Sequence, residues 1–275
     1  MVILQKPDIQ ENYDDIHVSA SSVNAIIDGC PREVLYRYVL GLEPQDKSSS
    51  LILGSAMHEA LAAFYLALQQ SKVEMKLADM VEIAHGVIES AQAINFKEGE
   101  TLETLKAQAS NLLTVWHKNG YRPQGTILGV EMKFSIDLKN PHTGEELQER
   151  LLGYIDLLTE NPDGTMVVTD HKTIARRESD RGQSQDLQMG LYQYAVETLF
   201  PGRKVILQFQ DIIKTKSPTV TITPVIEQDK NAALKQVYSA ITHMNTALML
   251  PDPSVLLYRR PSWRCASCGY RAQCR

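Results

Sequence analysis

Cysteine is scarce in this chain, as are unbroken apolar stretches, glycine- or proline-rich tracts and any excess of positive charge. Four cysteines in 275 residues exclude a disulfide-dense secreted scaffold. The 15 glycines and 12 prolines form no low-complexity tract, which excludes a collagen-like or linker-like protein. The most apolar window, Leu51 to Leu68, carries His58 and Glu59 at its middle. A lipid-facing span would not accept those groups cheaply, so the window reads as a buried helix. The first residues, Met1-Val-Ile-Leu-Gln-Lys-Pro-Asp8, lack the features of a secretory signal. The expected compartment is the cytoplasm, with no membrane partner. A net charge of −5 argues against a protein that coats nucleic acid by bulk electrostatics. No segment follows G-x-x-x-x-G-K-[ST], so the chain carries no P-loop motor.

The apolar fraction, 43%, and the length suffice for a large core. Ser19 or Ser21 caps an expected helix running towards Cys30, and Pro31 fits the first turn of a second, Arg32 to Leu40. From Gly54 to about Gly120 the chain is rich in Ala, Leu, Glu, Lys and Gln and reads as several helices. After Pro123 the pattern changes to a three-strand meander over Thr126 to Leu138, Glu146 to Thr159 and Met166 to Thr173. Its turns fall at Asn140-Pro-His-Thr-Gly144 and Asn161-Pro-Asp-Gly164. A helix over Asp186 to Leu199, strands over Lys204 to Lys214 and Thr219 to Val225, and a long helix over Asp229 to Leu248 complete an α/β core.

The cysteines fall as Cys30 and then Cys265, Cys268 and Cys274, a C-x2-C-x5-C pattern. Four thiolates suit an all-cysteine site for zinc or for an iron-sulfur cluster. The split into one ligand plus three favours a cluster, with zinc as the alternative, and a Cys30 that is only a small buried hydrophobe stays open. A centre holding all four closes a loop of more than two hundred residues and acts as a staple.

The chemistry-bearing residues concentrate in Val167-Val-Thr-Asp170-His-Lys172. Strand alternation puts Asp170 and Lys172 on one face, and a short hairpin brings Asp156, at the end of Leu152-Gly-Tyr-Ile-Asp156, alongside. Two such carboxylates repel unless a cation or proton lies between them, and hard oxygen ligands select Mg²⁺ or Mn²⁺. Gln188 and Tyr192, four residues apart on a helix, share a face. Two basic tracks flank these motifs: Lys172, Arg176, Arg177 and Arg181, and then Arg259, Arg260, Arg264, Arg271 and Arg275, with Tyr258, Trp263 and Tyr270 interleaved. Such a mixture suits single-stranded nucleic acid, and equally a solvated face.

G-x-x-D at Gly153 to Asp156, D-x-K at Asp170 to Lys172 and Q-x-x-x-Y at Gln188 to Tyr192 resemble, in order, the motifs of RecB-like PD-(D/E)XK nucleases. Gly54-Ser-Ala-Met-His58 resembles that group's helical histidine motif, and Val130-Glu131 its acidic residue on the first core strand. Ser19-Ala-Ser21, Cys30-Pro31 and the terminal cysteines resemble the iron-sulfur subset, which includes AddB-type and CRISPR-associated nucleases. The resemblance implies a restriction-endonuclease-like mixed sheet flanked by helices. Its parts would be an N-terminal helical segment, 1–122, a nuclease core, 123–250, and a cluster-binding tail, 251–275. It implies an Mg²⁺- or Mn²⁺-dependent deoxyribonuclease, an exonuclease acting on single strands or DNA ends, with a structural 4Fe-4S cluster held by Cys30, Cys265, Cys268 and Cys274. His58, Asp156, Asp170 and the His171 carbonyl would hold the metal, and Lys172 would orient the attacking water. Glu131, Gln188 and Tyr192 would support the reaction, and Arg176, Arg177, Arg259, Arg260 and Trp263 would contact DNA. A helicase, recombination or CRISPR partner would deliver the substrate. The rival readings are a nuclease-fold protein that binds DNA or a partner without cutting, and a zinc-stapled scaffold.

Overall fold

The computed structural model describes residues 17–176, 185–226 and 228–274. A short strand β1 (His17–Val18) leads into helix α1 (Ala20–Ile27), whose N-cap Ser19 accepts from the Ser22 amide. The second helix covers the predicted stretch but changes its winding. It begins as α2 (Pro31–Val34) and then widens into a π turn over Leu35–Val39. Strand β2 (Lys47–Ser48) precedes the three helices expected from composition: α3 (Ser49–Ser71), α4 (Leu77–Ser90) and, after β3 (Ile94–Asn95), α5 (Leu102–Asn119).

The meander follows as β4 (Thr126–Lys139), β5 (Glu146–Glu160) and β6 (Met166–Ile174). Its turns need left-handed backbone, and Gly144 (φ +78°) and Gly164 (φ +83°) supply it. Helix α6 (Leu187–Leu199) crosses to β7 (Val205–Ile213), which pairs parallel with β6. Strand β8 (Thr219–Pro224) and helix α7 (Lys230–Met249) close the core. The main sheet has six strands in the order β1-β5-β6-β7-β8, with β4 also paired to β5. It is a mixed sheet flanked by helices, of restriction-endonuclease-like architecture.

Each face of the sheet carries its own apolar core. On one, Val23 and Ile26 of α1, Tyr192 and Val196 of α6, and Val237 and Ile241 of α7 pack on Ile155, Val168 and Phe209. On the other, α3, α4 and α5 pack on Ile127, Leu157 and Ile212. Helix α3 is long and apolar enough to cross a membrane by length and composition alone. Its buried positions, Ile52, Leu53, Ala56, Met57, Ala60, Leu61, Phe64 and Tyr65, recur at helical spacing and form the face that packs inward.

The second core is centred on Trp116, which is fully buried. Its ring meets Phe64 edge-on at 4.9 Å and Tyr65 at 5.8 Å, and its Nε1 donates to Gln210 Oε1 at 2.7 Å. That bond satisfies the carboxamide oxygen inside the sheet interface, where an unpaired acceptor is costly. Trp116→Ala is expected to destabilise the protein by about 3–5 kcal/mol. Trp116→Phe should cost about 1–3 kcal/mol, chiefly by orphaning Gln210. Urea unfolding checks both, with the ranking Ala worse than Phe as the required outcome.

Candidate metal and hydrolytic site

Strands β5 and β6 are laddered from Leu157–Thr169 to Glu160–Met166 and then part company, so Asp156 and Asp170 stand where the sheet splits. A split leaves backbone polar groups without strand partners, and side chains take their place here. The Asp156 carboxylate accepts from the His171 amide at 2.7 Å, and the Tyr192 hydroxyl donates to the Tyr154 carbonyl at 2.6 Å. Two of the motif residues therefore also hold the backbone open.

On the other side of β5, Val130 pairs with Leu157 and Met132 with Ile155, which places Glu131 opposite Asp156. Glu131 has φ +46°, a left-handed conformation that a non-glycine residue adopts at a cost. Helix α3 supplies His58, whose Nδ1 lies 3.6 Å from both Glu131 Oε1 and Asp156 Oδ2. One donor atom from each of His58, Glu131 and Asp156 falls within 4.8 Å of the others, the one group of three or more such donors this close together among the described residues, the four cysteine sulfurs forming none.

Asp156 is 7% exposed. Burial, and then the charge of Asp170, push its pKa up to about 7, against the pull of His58 and the His171 amide. Burial alone would lower the His58 pKa, but Glu131, Asp156 and Asp170 outweigh it and raise it. The carboxylates around it thus favour the protonated imidazole. Asp170, 1% exposed, is raised by burial in spite of the adjoining ammonium. Its Oδ2 lies 3.0 Å from Lys172 Nζ yet accepts no hydrogen bond, so a buried oxygen next to Asp156 still has acceptor capacity. The donor set, one imidazole and oxygen atoms with a buried acceptor to spare, fits Mg²⁺ or Mn²⁺.

Lys172 Nζ donates to Asp170 Oδ1 at 3.1 Å and to Gln188 Oε1 at 2.8 Å. Gln188 Nε2 in turn donates to the Tyr192 hydroxyl at 2.6 Å. Burial would lower the Lys172 pKa, but Asp170 and then Asp156 raise it, so the group is an ammonium. Asp170, Lys172, Gln188, Tyr192 and the Tyr154 carbonyl therefore form one hydrogen-bonded chain. The glycine of G-x-x-D has a steric reason: a Cβ on Gly153 would stand 2.4 Å from Phe134 Cζ. Phe134 packs edge-on to Tyr192, 6.3 Å between centroids, and so supports the end of that chain. The His171 ring turns to the opposite face, stacked at 5.4 Å and 3° on Tyr65, and burial lowers its pKa to about 3. It is neutral, and its amide is what reaches Asp156.

Sequence reading grouped Asp156, Asp170, Lys172, Gln188 and Tyr192, and these residues lie together. It set Glu131 apart from the metal ligands, whereas the structure sets it with His58 and Asp156, nearer that group than Asp170, which Lys172 engages. The Tyr154 carbonyl, the Phe134 buttress and the Tyr65 stack had no legible motif. Arg176 is exposed at the end of β6, while Arg177, Arg181 and Arg275 lie outside the described residues.

The tail folds back onto the first helices. The Arg32 amide donates to the Tyr258 carbonyl, the Tyr36 hydroxyl to the Gln273 carbonyl and the Tyr270 hydroxyl to the Leu42 carbonyl. Cys30 Sγ receives the Arg260 amide at 3.5 Å, and Cys265 Sγ receives the Ser262 amide at 3.4 Å. Burial raises the Cys268 pKa against the Tyr270 amide, and the neighbouring Glu33, Cys274 and Cys30 add to the rise. All four thiols are free and partly buried. Of the expected DNA contacts, Arg260 donates to the Ile27 carbonyl, Arg259 reaches the Cys274 carbonyl, and Trp263 is 82% exposed.

The model of the PD-(D/E)XK nuclease superfamily matches residues 17–275. Among solved structures, an exonuclease candidate from Eubacterium rectale is similar, with 17% identity and TM-score 0.52, over 91% of this chain and 87% of that one. The protein SSO0001 is 16% identical over 89% of this chain and 93% of its own, with TM-score 0.34. No curated protein matches the chain. The first of these structures shares the fold, and the family model spans both the helix bearing His58 and the strands that split at Asp156: the chain belongs to the PD-(D/E)XK nuclease superfamily.

Proposed function

We propose that the protein is a divalent-metal-dependent deoxyribonuclease, an exonuclease acting on single strands or DNA ends, with a structural 4Fe-4S cluster. The observation that carries the first part is the convergence of His58, Glu131 and Asp156 beside the Asp170–Lys172 pair. His58, Glu131, Asp156, Asp170 and the His171 carbonyl would hold Mg²⁺ or Mn²⁺. Such a cation supplies Lewis acidity towards phosphoryl oxygens and makes water easier to deprotonate.

The chain's own residues supply position and charge. The Lys172 ammonium is fixed by two acceptors, so its remaining N–H is directed and can orient a water or a phosphate oxygen. It adds positive charge where negative charge builds in the transition state. Gln188 cannot rotate away, because Tyr192 holds its other end. Arg176, Arg177, Arg259, Arg260 and Trp263 would track the strand. In the absence of a motor motif, a helicase or a partner in recombination or CRISPR adaptation would present the end, in the cytoplasm.

The cluster reading rests on the tail's return to Cys30 and on backbone N–H groups aimed at sulfur, which stabilise thiolates. Cys30, Cys265, Cys268 and Cys274 would be its ligands.

Incubation of end-labelled single-stranded DNA with the protein and Mn²⁺ should release nucleotides. Lys172→Ala should lower the rate about 10²-fold or more while leaving the fold intact by circular dichroism. Undiminished cleavage by Lys172→Ala would sink the assignment, and binding without cutting would favour the non-cleaving rival.

Asp156→Asn should abolish cleavage yet stabilise the metal-free protein. The folded-state pKa of Asp156, about 7, exceeds the unfolded value of about 3.9, so its ionisation opposes folding. The wild type should lose stability relative to Asp156→Asn as pH rises through that window. At pH 8 in EDTA the variant should melt roughly 5–10 °C higher. Equal melting temperatures there would contradict the burial argument.

Anaerobically purified protein should contain iron and acid-labile sulfide, and Cys30→Ser should lose both and loosen the tail. Stoichiometric zinc without iron would replace the cluster by the zinc-stapled alternative.

A further inference from the structure

We infer that Tyr154, with Lys133 beside it, forms a platform on which the nucleobase adjoining the cleaved phosphate stacks. The inference rests on the reading of the site as one that binds a DNA strand. Between the start of α3 and the β4–β5 ladder lies an open cleft of about 640 Å³, lined by Leu51, Gly54, His58, Glu131 and Tyr154 among others. It shares His58 and Glu131 with the metal-capable group, so whatever lies in it adjoins the reacting phosphate.

The cleft walls are unusual for a site that handles a polyanion. Among the described residues no Lys or Arg lines it. Leu51 is 56% and Tyr154 49% exposed, two large apolar surfaces left in water at the edge of a buried charge cluster. A Cβ on Gly54 would meet no heavy atom within 4 Å, so the α3 wall is open where a flat group would enter. These features suit a base better than a phosphate. An aromatic ring stacks on any of the four bases, which matches an enzyme that takes strands without sequence preference.

The Tyr154 ring is free to do this, and its backbone is not. Its hydroxyl has no hydrogen-bond partner among the described residues, while its carbonyl is held by the Tyr192 hydroxyl at 2.6 Å. Gly153, one residue earlier, lies against Phe134 with no room for a Cβ. The ring is thus presented from a fixed point two residues from Asp156. Directly across the ladder, Lys133 is paired in register with Tyr154, so both side chains stand on the same face. Lys133 is exposed and makes no ion pair among the described residues. An aromatic ring flanked by an unpaired cation is the unit that single-strand binders use for a base and its next phosphate.

The test measures binding and cleavage separately, on the full chain. Affinity for a labelled single-stranded oligonucleotide, and for the same length of abasic strand, is measured in Ca²⁺, and cleavage is measured in Mn²⁺. Tyr154→Ala should weaken binding of the base-bearing strand about tenfold, the loss of one base–aromatic stack, with Tyr154→Phe close to wild type. The preference for bases over the abasic strand should fall by the same factor in Tyr154→Ala, and the cleavage defect should lie in KM rather than kcat. Lys133→Ala should reduce the slope of log affinity against log salt by about 0.7. Unchanged affinity in Tyr154→Ala, or an undiminished preference for bases, would overturn the platform while leaving the nuclease assignment standing. A wild type that binds in this pattern but never cuts would overturn the nuclease assignment and leave the platform. A wild type that binds no single strand would overturn both.

Discussion

The hydrogen bond from the His171 amide to the Asp156 carboxylate is the contact on which the site depends. It replaces a ladder bond at the place where β5 and β6 separate, and so lets the sheet open without leaving a buried donor unpaired. The opening brings in Tyr192 from α6 on one face and His58 from α3 on the other. Without it, Asp156 and Asp170 would be ordinary cross-strand neighbours that could not both stay ionised.

Charge is therefore stored in the fold. Three acidic groups and an imidazole are gathered at the split, where burial raises the cost of the Asp156 and Asp170 charges, and the metal-free site offsets part of that cost with protons. A divalent cation entering such a site would displace protons, which would tie its affinity to pH. The two apolar cores on either side of the sheet stabilise the arrangement from outside, and the strained φ of Glu131 shows the backbone yielding to the same demand.

Most of the fold was legible in the sequence because its strands and helices carry unambiguous periodicity. The predicted strand over Thr126 to Leu138 differs from β4 by one residue at its end, and Asp186, predicted as the first residue of its helix, is the N-cap of α6. The π turn after Val34 was not legible, and it holds Tyr36, whose hydroxyl bonds a carbonyl more than two hundred residues away in the tail. Within the site, side chains that alternate along one strand or share one helix face were readable: Asp170 with Lys172, and Gln188 with Tyr192. Relations between elements were not. The grouping of Glu131 with His58 rests on a left-handed residue that no glycine announces, and the Phe134–Gly153 contact joins two strands whose register only the folded sheet defines.

The return of the tail onto Cys30 has a consequence for the order of events on the ribosome. The Arg260 amide that meets the Cys30 sulfur is encoded 230 residues downstream of it. Helices α1 to α5 and the whole sheet are thus synthesised before the segment that clasps the first helix exists. The cysteine-bearing end therefore assembles only after the sheet has been made, and until then the Cys30 sulfur lacks the Arg260 amide that meets it in the folded protein.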